Sequence, residues 1–441
     1  MTHPKSRPRP MGRIAFASLI GTTVEFYDFF IFGTAAALVF GATFFPALGP
    51  AGGTLASLAT FGVAFVARPF GSAFFGHFGD RLGRKVTLIS TLMLMGGSTV
   101  AIGLLPTAAT IGAAAPILLV LLRILQGIAL GGEWAGAVLL AGEHAPSEKR
   151  GFYTMFPQLG PGIGLALALG TFLATGLTMS NEAFVSWGWR IPFLASVVMV
   201  AIGLFVRLKI AETPNFEKLK SANHVAKAPV WEVIRNKPVQ LLAGAGSLAM
   251  AFAMFHTGAT WLIGYGPTAL GLSRSTVLSL GVLGALAFAA MVLVGGALSD
   301  RRGRRFVIMS AALVSIPWSL VLLPIVGTGA PLAFAVAVIV TLGISGYAYG
   351  PVGAQLPELF PTRYRYTGAG IAYSLSGVVG GALPPLIAEA LIPRFGTQAV
   401  GYYLVCYGLI TVGSLLVLRL ETKAIDFDAL ETTEPEGAAQ A

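Results

Sequence analysis

Charge is scarce in this chain. Only 11% of its 441 residues are Asp, Glu, Lys or Arg, where a soluble domain carries about 25%. Cysteine is scarcer still: Cys406 stands alone, which excludes an intrachain disulfide framework. The five histidines have no metal-ligand spacing. No glycine-rich loop ending in Lys-Ser or Lys-Thr follows a strand, which argues against nucleotide-driven chemistry, and no enzyme motif is found. In place of charge there is apolar length. Hydrophobic residues make up 55% of the chain and the mean hydropathy is +0.78.

The apolar residues fall in twelve runs, near 14–40, 53–75, 86–106, 112–140, 151–178, 189–208, 239–265, 275–298, 306–326, 330–355, 367–391 and 397–419. Each is long enough to cross a hydrocarbon core as a helix, which takes about 20 residues. Lipid offers backbone groups no partners, so spans without strand alternation must be helical. The 56 glycines suit helices that approach closely within a membrane. Basic residues precede the first run (Lys5, Arg7, Arg9, Arg13) as they do in a signal peptide. That run is too long and lacks a small-residue cleavage site, so it reads as a retained first span.

A formal charge of +10 would suggest nucleic acid on a soluble protein. Here it reports topology. All 29 Lys and Arg except Arg68, Arg123, Arg190, Arg274 and Arg394 fall in gaps on the side that holds both termini. The positive-inside rule then predicts that both termini are cytoplasmic.

One polar stretch recurs. Gly76-His77-Phe78-Gly79-Asp80-Arg81-Leu82-Gly83-Arg84-Lys85 reappears in outline as Gly296-Ala297-Leu298-Ser299-Asp300-Arg301-Arg302-Gly303-Arg304-Arg305, 220 positions on. A second pair, Glu143-His144-Ala145-Pro146 followed by Arg150 and Glu358-Leu359-Phe360-Pro361 followed by Arg365, repeats at 215 positions. Parallel six-helix repeats explain both. The expected fold is an all-α membrane protein of twelve transmembrane helices in two pseudo-symmetric six-helix bundles. The bundles should cover 1–209 and 239–419, with a cytoplasmic linker at 210–238 and a disordered acidic tail at 420–441.

The two hairpins, with Arg123-x-x-Gln126-Gly127 in the fourth run, resemble the signatures of the major facilitator superfamily. Further words are similar to the metabolite–proton symporter family within it: Val24-Glu25-Phe26-Tyr27-Asp28-Phe29, Gly131-Gly132-Glu133-Trp134, Ser186-Trp187-Gly188-Trp189-Arg190-Ile191-Pro192 and Pro357-Glu358-Leu359-Phe360-Pro361-Thr362. The resemblance implies a plasma-membrane carrier that imports a small carboxylate-bearing metabolite with protons, by alternating access. The proton gradient is its energy source and no cofactor is needed. Carriers of oxo- and tricarboxylates, of shikimate and of proline and betaine all belong to that family, so osmolyte uptake is the alternative. An exporter and a membrane enzyme or sensor are more distant rivals. Expected partners are the metabolite, protons and the lipid bilayer, with no nucleic acid.

Ionisable groups inside spans cost roughly 2.5–3.5 kcal/mol each on insertion scales and default to functional candidates. Glu25 and Asp28 share a helix face, and two close carboxylates cannot both ionise cheaply. They read as a proton site, or one of them as half of a salt bridge between helices. Arg123, with Gln126 on its face, offers a planar fork to a substrate carboxylate or to an acid of the first span. Glu133 reads as a relay or a packing contact. Arg68 reads as part of the anion path, as a gate partner or as snorkelling to the surface. Arg190, between tryptophans, reads as an interface anchor or an outer gate. Gln158, His256 and Tyr349 are further substrate-site candidates. In the hairpins Gly76, Gly83 and Gly303 permit turns and close packing. Asp80, Arg81, Arg84, Lys85, Asp300, Arg301 and Arg304 read as an inner-gate latch or as plain topology anchors.

Overall fold

The computed structural model describes residues 11–82, 84–208, 229–419 and 421–424, the side chains of 79–84, 181, 229 and 424 excepted. The apolar runs fold as helices, and no strand occurs among the described residues. Among the described residues, twelve helical segments are long and apolar enough to span a membrane. They are α1 (Met11–Phe44), α2 (Pro46–Phe78), α3 (Lys85–Leu104), α4 (Ala114–Gly142), α5 (Ser147–Leu177) and α6 (Phe184–Leu208). They continue with α7 (Pro238–Ala269), α8 (Arg274–Arg302), α9 (Arg304–Val326), α10 (Pro331–Glu358), α11 (Thr362–Phe395) and α12 (Gln398–Leu418). Large apolar side chains such as Phe70, Phe205 and Leu332 lie exposed along them. On a soluble surface these would mark a docking patch. Around a bundle of spans they are the lipid-facing side.

Within the first six spans α1 packs on α5, α2 on α4 and α3 on α6; within the last six α8 packs on α10 and α9 on α12. Two further pairs, α5 with α8 and α2 with α11, join the first six to the last six. Under a shift of six spans α2 with α4 becomes α8 with α10, α3 with α6 becomes α9 with α12, and α5 with α8 becomes α11 with α2, as the sequence repeats require.

Glycine sets the closest approaches. A Cβ on Gly131 would lie 2.1 Å from the carbonyl oxygen of Arg68, and one on Gly71 2.0 Å from that of Ile128. The backbones of α2 and α4 therefore touch, and this contact sets where Arg68 and Arg123 stand. In Gly131→Ala the helices must part. Overpacking of this kind costs about 1–3 kcal/mol, so the purified variant should melt at a lower temperature. An unchanged melt would contradict the contact.

Two expectations need adjusting. The linker expected at 210–238 contains a helix, Pro229–Asn236, tied to the start of α11 by Glu232 and Arg363 at 3.0 Å. Residues 209–228 lie outside the described residues. Nor is the end of α12 followed directly by a loose tail. Residues Thr422–Ala424 form a 3-10 turn, and Glu421 accepts from the backbone N–H groups of Arg304 and Arg305 at 2.8 and 3.2 Å. Glu421 thereby caps the start of α9. Residues 425–441 lie outside the description.

Candidate functional site

A tight cavity of about 20 Å³, room for about one water, lies between the two sets of six spans. Its walls are Phe26 and Phe30 of α1, Arg68 of α2, Phe252, Phe255 and His256 of α7, Phe288 of α8, Ser345 and Tyr349 of α10, and Tyr373 of α11. Ring faces with few polar groups are the usual lining of a small-molecule site, and in this closed arrangement the walls of the chamber have come together.

One guanidinium, Arg68, lines it, and a second, Arg123, shares the Phe29 ring with Arg68 behind that wall. Arg68 Cζ lies 4.6 Å from the Phe29 ring centroid and 4.2 Å from that of Phe65. Arg123 Cζ lies 4.4 Å from Phe29 and 4.0 Å from Phe32. Both side chains are buried. Arg123 Nη1 donates to Gln126 Oε1 at 2.8 Å, and Gln126 Nε2 donates to Thr99 Oγ1 at 2.7 Å. The other two nitrogens of Arg123, and all three of Arg68, have no hydrogen-bond partner among the described residues. An arginine keeps its charge when buried, and ring faces compensate a cation by only about 2 kcal/mol. The pair is thus a donor set facing no acid. The expectation that Arg123 pairs with a carboxylate of the first span is not met: the α1 face against it carries Phe29 and Phe32. Nor does Arg68 meet a gate carboxylate or reach the surface. It lies over Phe29 and Phe65, 1% exposed.

The chamber is closed toward the hairpins by stacked rings and a bonded chain. Trp134 of α4 stacks on Tyr373 of α11 at 3.9 Å. Its indole donates to Gln158 Oε1 at 2.7 Å, and Gln158 Nε2 donates to the carbonyl oxygen of Tyr349 at 3.1 Å. The Tyr349 and Tyr373 hydroxyls share a bond of 2.5 Å. Gln158 and Tyr349 therefore form the floor of the chamber. His256 packs among Phe29, Phe30, Phe61, Phe65, Phe252 and Phe255, with Nδ1 unbonded.

The expected proton pair is not a pair. Glu25 meets Arg207 of α6, which it shares with Glu133 of α4. Asp28 instead accepts from Ser196 Oγ at 2.5 Å. A three-residue spacing puts both acids on one face, but the longer Glu25 turns toward the end of α6 that Arg207 occupies. Sequence reading missed Arg207. It sits in the last turn of an apolar run, where a basic residue reads as part of the gap beyond, yet it is buried. The usable signal was the pair of acids within spans, which call for a cation. Glu133 belongs to this cluster and not to the chamber.

Beyond the floor the hairpin face is clasped. Asp300 of α8 accepts from the backbone N–H groups of Gly151 and Phe152 at 2.9 and 2.8 Å, at the start of a helix in the first six spans. There its charge complements the helix dipole. Arg304 donates to Asp300 at 2.7 Å. Glu358 of α10 accepts from Arg150 and Arg304, both at 3.3 Å, and from Thr422 at 2.6 Å. In the other copy a Cβ on Gly76 would meet Thr367 Oγ1 at 3.0 Å, and Ser72 bonds Ser374 at 2.6 Å. Lys85 donates to the carbonyl oxygen of Leu208 at 2.9 Å. The carbonyl oxygen of Arg301 accepts from Lys423 at 3.2 Å, and Gly303 turns the chain at φ +97°. The side chains of Asp80, Arg81 and Arg84, and Gly83 entirely, lie outside the described residues.

At the opposite face Arg190 donates to the carbonyl oxygens of Gly103 and Leu105 at 2.8 and 2.6 Å and lies 4.4 Å from the Trp189 ring. It fastens α6 to the end of α3, away from the chamber.

Residues 18–385 match the pattern of the Major Facilitator Superfamily. The chain is 45% identical over 410 residues to the inner membrane metabolite transport protein YhjE of Escherichia coli K12, covering 92% of this chain and 93% of that one. It is 39% identical to the shikimate transporter of the same organism, over 93% and 95% of the two chains. A solved proton:xylose symporter bound to 6-bromo-6-deoxy-D-glucose superposes with a TM-score of 0.74, at 18% identity, over 96% and 98% of the chains.

Proposed function

As the chain belongs to the Major Facilitator Superfamily, we propose that it imports a small carboxylate-bearing metabolite together with protons across the plasma membrane, with both termini in the cytoplasm. The observation that carries this reading is the donor set of Arg68 and Arg123, buried beside a ring-lined chamber and facing no acid. A substrate carboxylate would supply the acceptors that the fold leaves out, and its apolar body would lie against Phe26, Phe252 and Tyr373. The shikimate transporter among its relatives carries a substrate of that class. With the hairpins at the cytoplasmic side, the clasp around Asp300 and Glu358 corresponds to a state shut toward the cytoplasm. Release inward then requires α5 to part from α8, and α2 from α11, by rocking of the two bundles.

Proteoliposomes with an imposed inward proton gradient test the reading. Oxo- and tricarboxylates, shikimate, proline and betaine are offered in turn. Accumulation of a carboxylate above its external concentration, lost when an uncoupler collapses the gradient, is the expected result. Uptake indifferent to the uncoupler would overturn the symport. Preference for betaine over every anionic acid would favour osmolyte uptake, with the onium group held on the chamber's ring faces.

A further inference from the structure

Arg207 stands in a cluster of unequal charge. One guanidinium faces two carboxylates, Glu25 and Glu133, and all three side chains are at most 4% exposed. The guanidinium also donates to the carbonyl oxygen of Leu88. Glu133 Oε2 accepts from Thr91 Oγ1 at 2.5 Å. The remaining oxygen, Glu25 Oε2, is buried without a hydrogen-bond partner. With both acids ionised the cluster carries a net negative charge in a medium that solvates charge poorly. One bound proton makes it neutral and gives Glu25 Oε2 a hydrogen.

The other described charged groups on the enclosing spans are directed elsewhere. On α1, Asp28 faces Ser196, and Arg13 lies at the terminal end. On α3, Lys85 bonds the carbonyl oxygen of Leu208. On α4, Arg123 bonds Gln126, ten residues before Glu133, and Glu143 lies ten residues after it. On α6, Arg190 is fastened at the opposite end of the helix. Among the described residues nothing outside the cluster meets the spare negative charge.

We propose that the transported proton is held here, shared by Glu25 and Glu133 on Arg207, inside the first six spans and apart from the substrate chamber. The inference rests on the symport reading above. The proton binds a carboxylate oxygen from the outer side and leaves from the same oxygen toward the cytoplasm, so no other group changes its covalent state. The four groups come from α1, α3, α4 and α6, so gain or loss of the proton changes how these spans attract one another. Substrate, in turn, is held by Arg68 and Arg123, of α2 and α4. Helix α4 carries both Arg123 and Glu133 and links the two sites.

The test compares Glu25→Gln and Glu133→Gln with the unaltered chain in proteoliposomes. Three quantities are read: uphill accumulation, exchange of internal for external substrate, and proton uptake on substrate addition. The expected result is loss of proton uptake and of accumulation in both variants, with exchange persisting. Proton uptake that survives in both overturns the inference and leaves symport standing. Absence of substrate-driven proton uptake in the unaltered chain overturns the symport reading itself. Thr91→Val keeps the test decisive should a Gln variant fail to fold. It removes a donor to the ionised form of Glu133, so the pH at which accumulation falls to half should move upward. No movement, or movement downward, counts against the cluster.

Discussion

Arg68→Gln and Arg123→Gln should each reduce carboxylate uptake by about 30-fold to several thousand-fold in kcat/KM. The range follows from the penalty for removing one partner of a buried, hydrogen-bonded charge pair, about 2–5 kcal/mol, at about 1.4 kcal/mol per decade. The loss should appear mainly in KM where the guanidinium holds substrate and transition state alike. Lysine is the informative control. Arg123→Lys retains the charge but loses the planar fork, and the Gln126 contact offers only one fixed direction. It should fall between the native chain and the Gln variant. Because each guanidinium lies over aromatic rings, its removal also takes away packing. The melting temperature must therefore be measured alongside transport. Gln variants that fold normally and transport with native KM would show that neither arginine meets the substrate.

A second large effect is expected at the clasp. Glu358 accepts from Arg150 and Arg304 while itself buried. Glu358→Gln sets an uncharged amide against those guanidiniums, of which Arg304 keeps its bond to Asp300. Breaking a buried pair from one side costs about 3–5 kcal/mol. Only the closed arrangement brings Arg150 of the first six spans to Glu358 of the last six, so the penalty should fall on that state. A shift of this size changes a two-state ratio by a factor of about 100 or more. Spin labels placed on the hairpin-face ends of α5 and α8 should report a longer separation in the variant. Distance distributions that match the native ones would remove Glu358 from the gate.

The spans were legible because each is an uninterrupted apolar run, and the duplication was legible because its residues recur in order. Arg207 was not. A basic residue in the last turn of a run has the same local signature whether it points to water or folds back onto Glu25, and only α1 and α4 decide which. The same holds for contacts between the repeats. Ser72 and Ser374 are 302 positions apart, and nothing in either neighbourhood specifies the other. Arg68 and Arg123 were visible as charges within spans, but their aromatic surroundings were not. Phe29, Phe32 and Phe65 read as ordinary lipid-compatible residues until three helices bring them around the guanidiniums.

Glu358 and Arg150 also impose an order on the making of the protein. They are 208 positions apart, and at about 5–20 residues per second of synthesis Arg150 precedes its partner by about 10–40 s. Throughout that interval Arg150, at the hairpin-face edge of the first six spans, waits for Glu358, with Glu148 of its own half beside it in the chain. The contact between the halves at this point can therefore form only when the second half has been inserted.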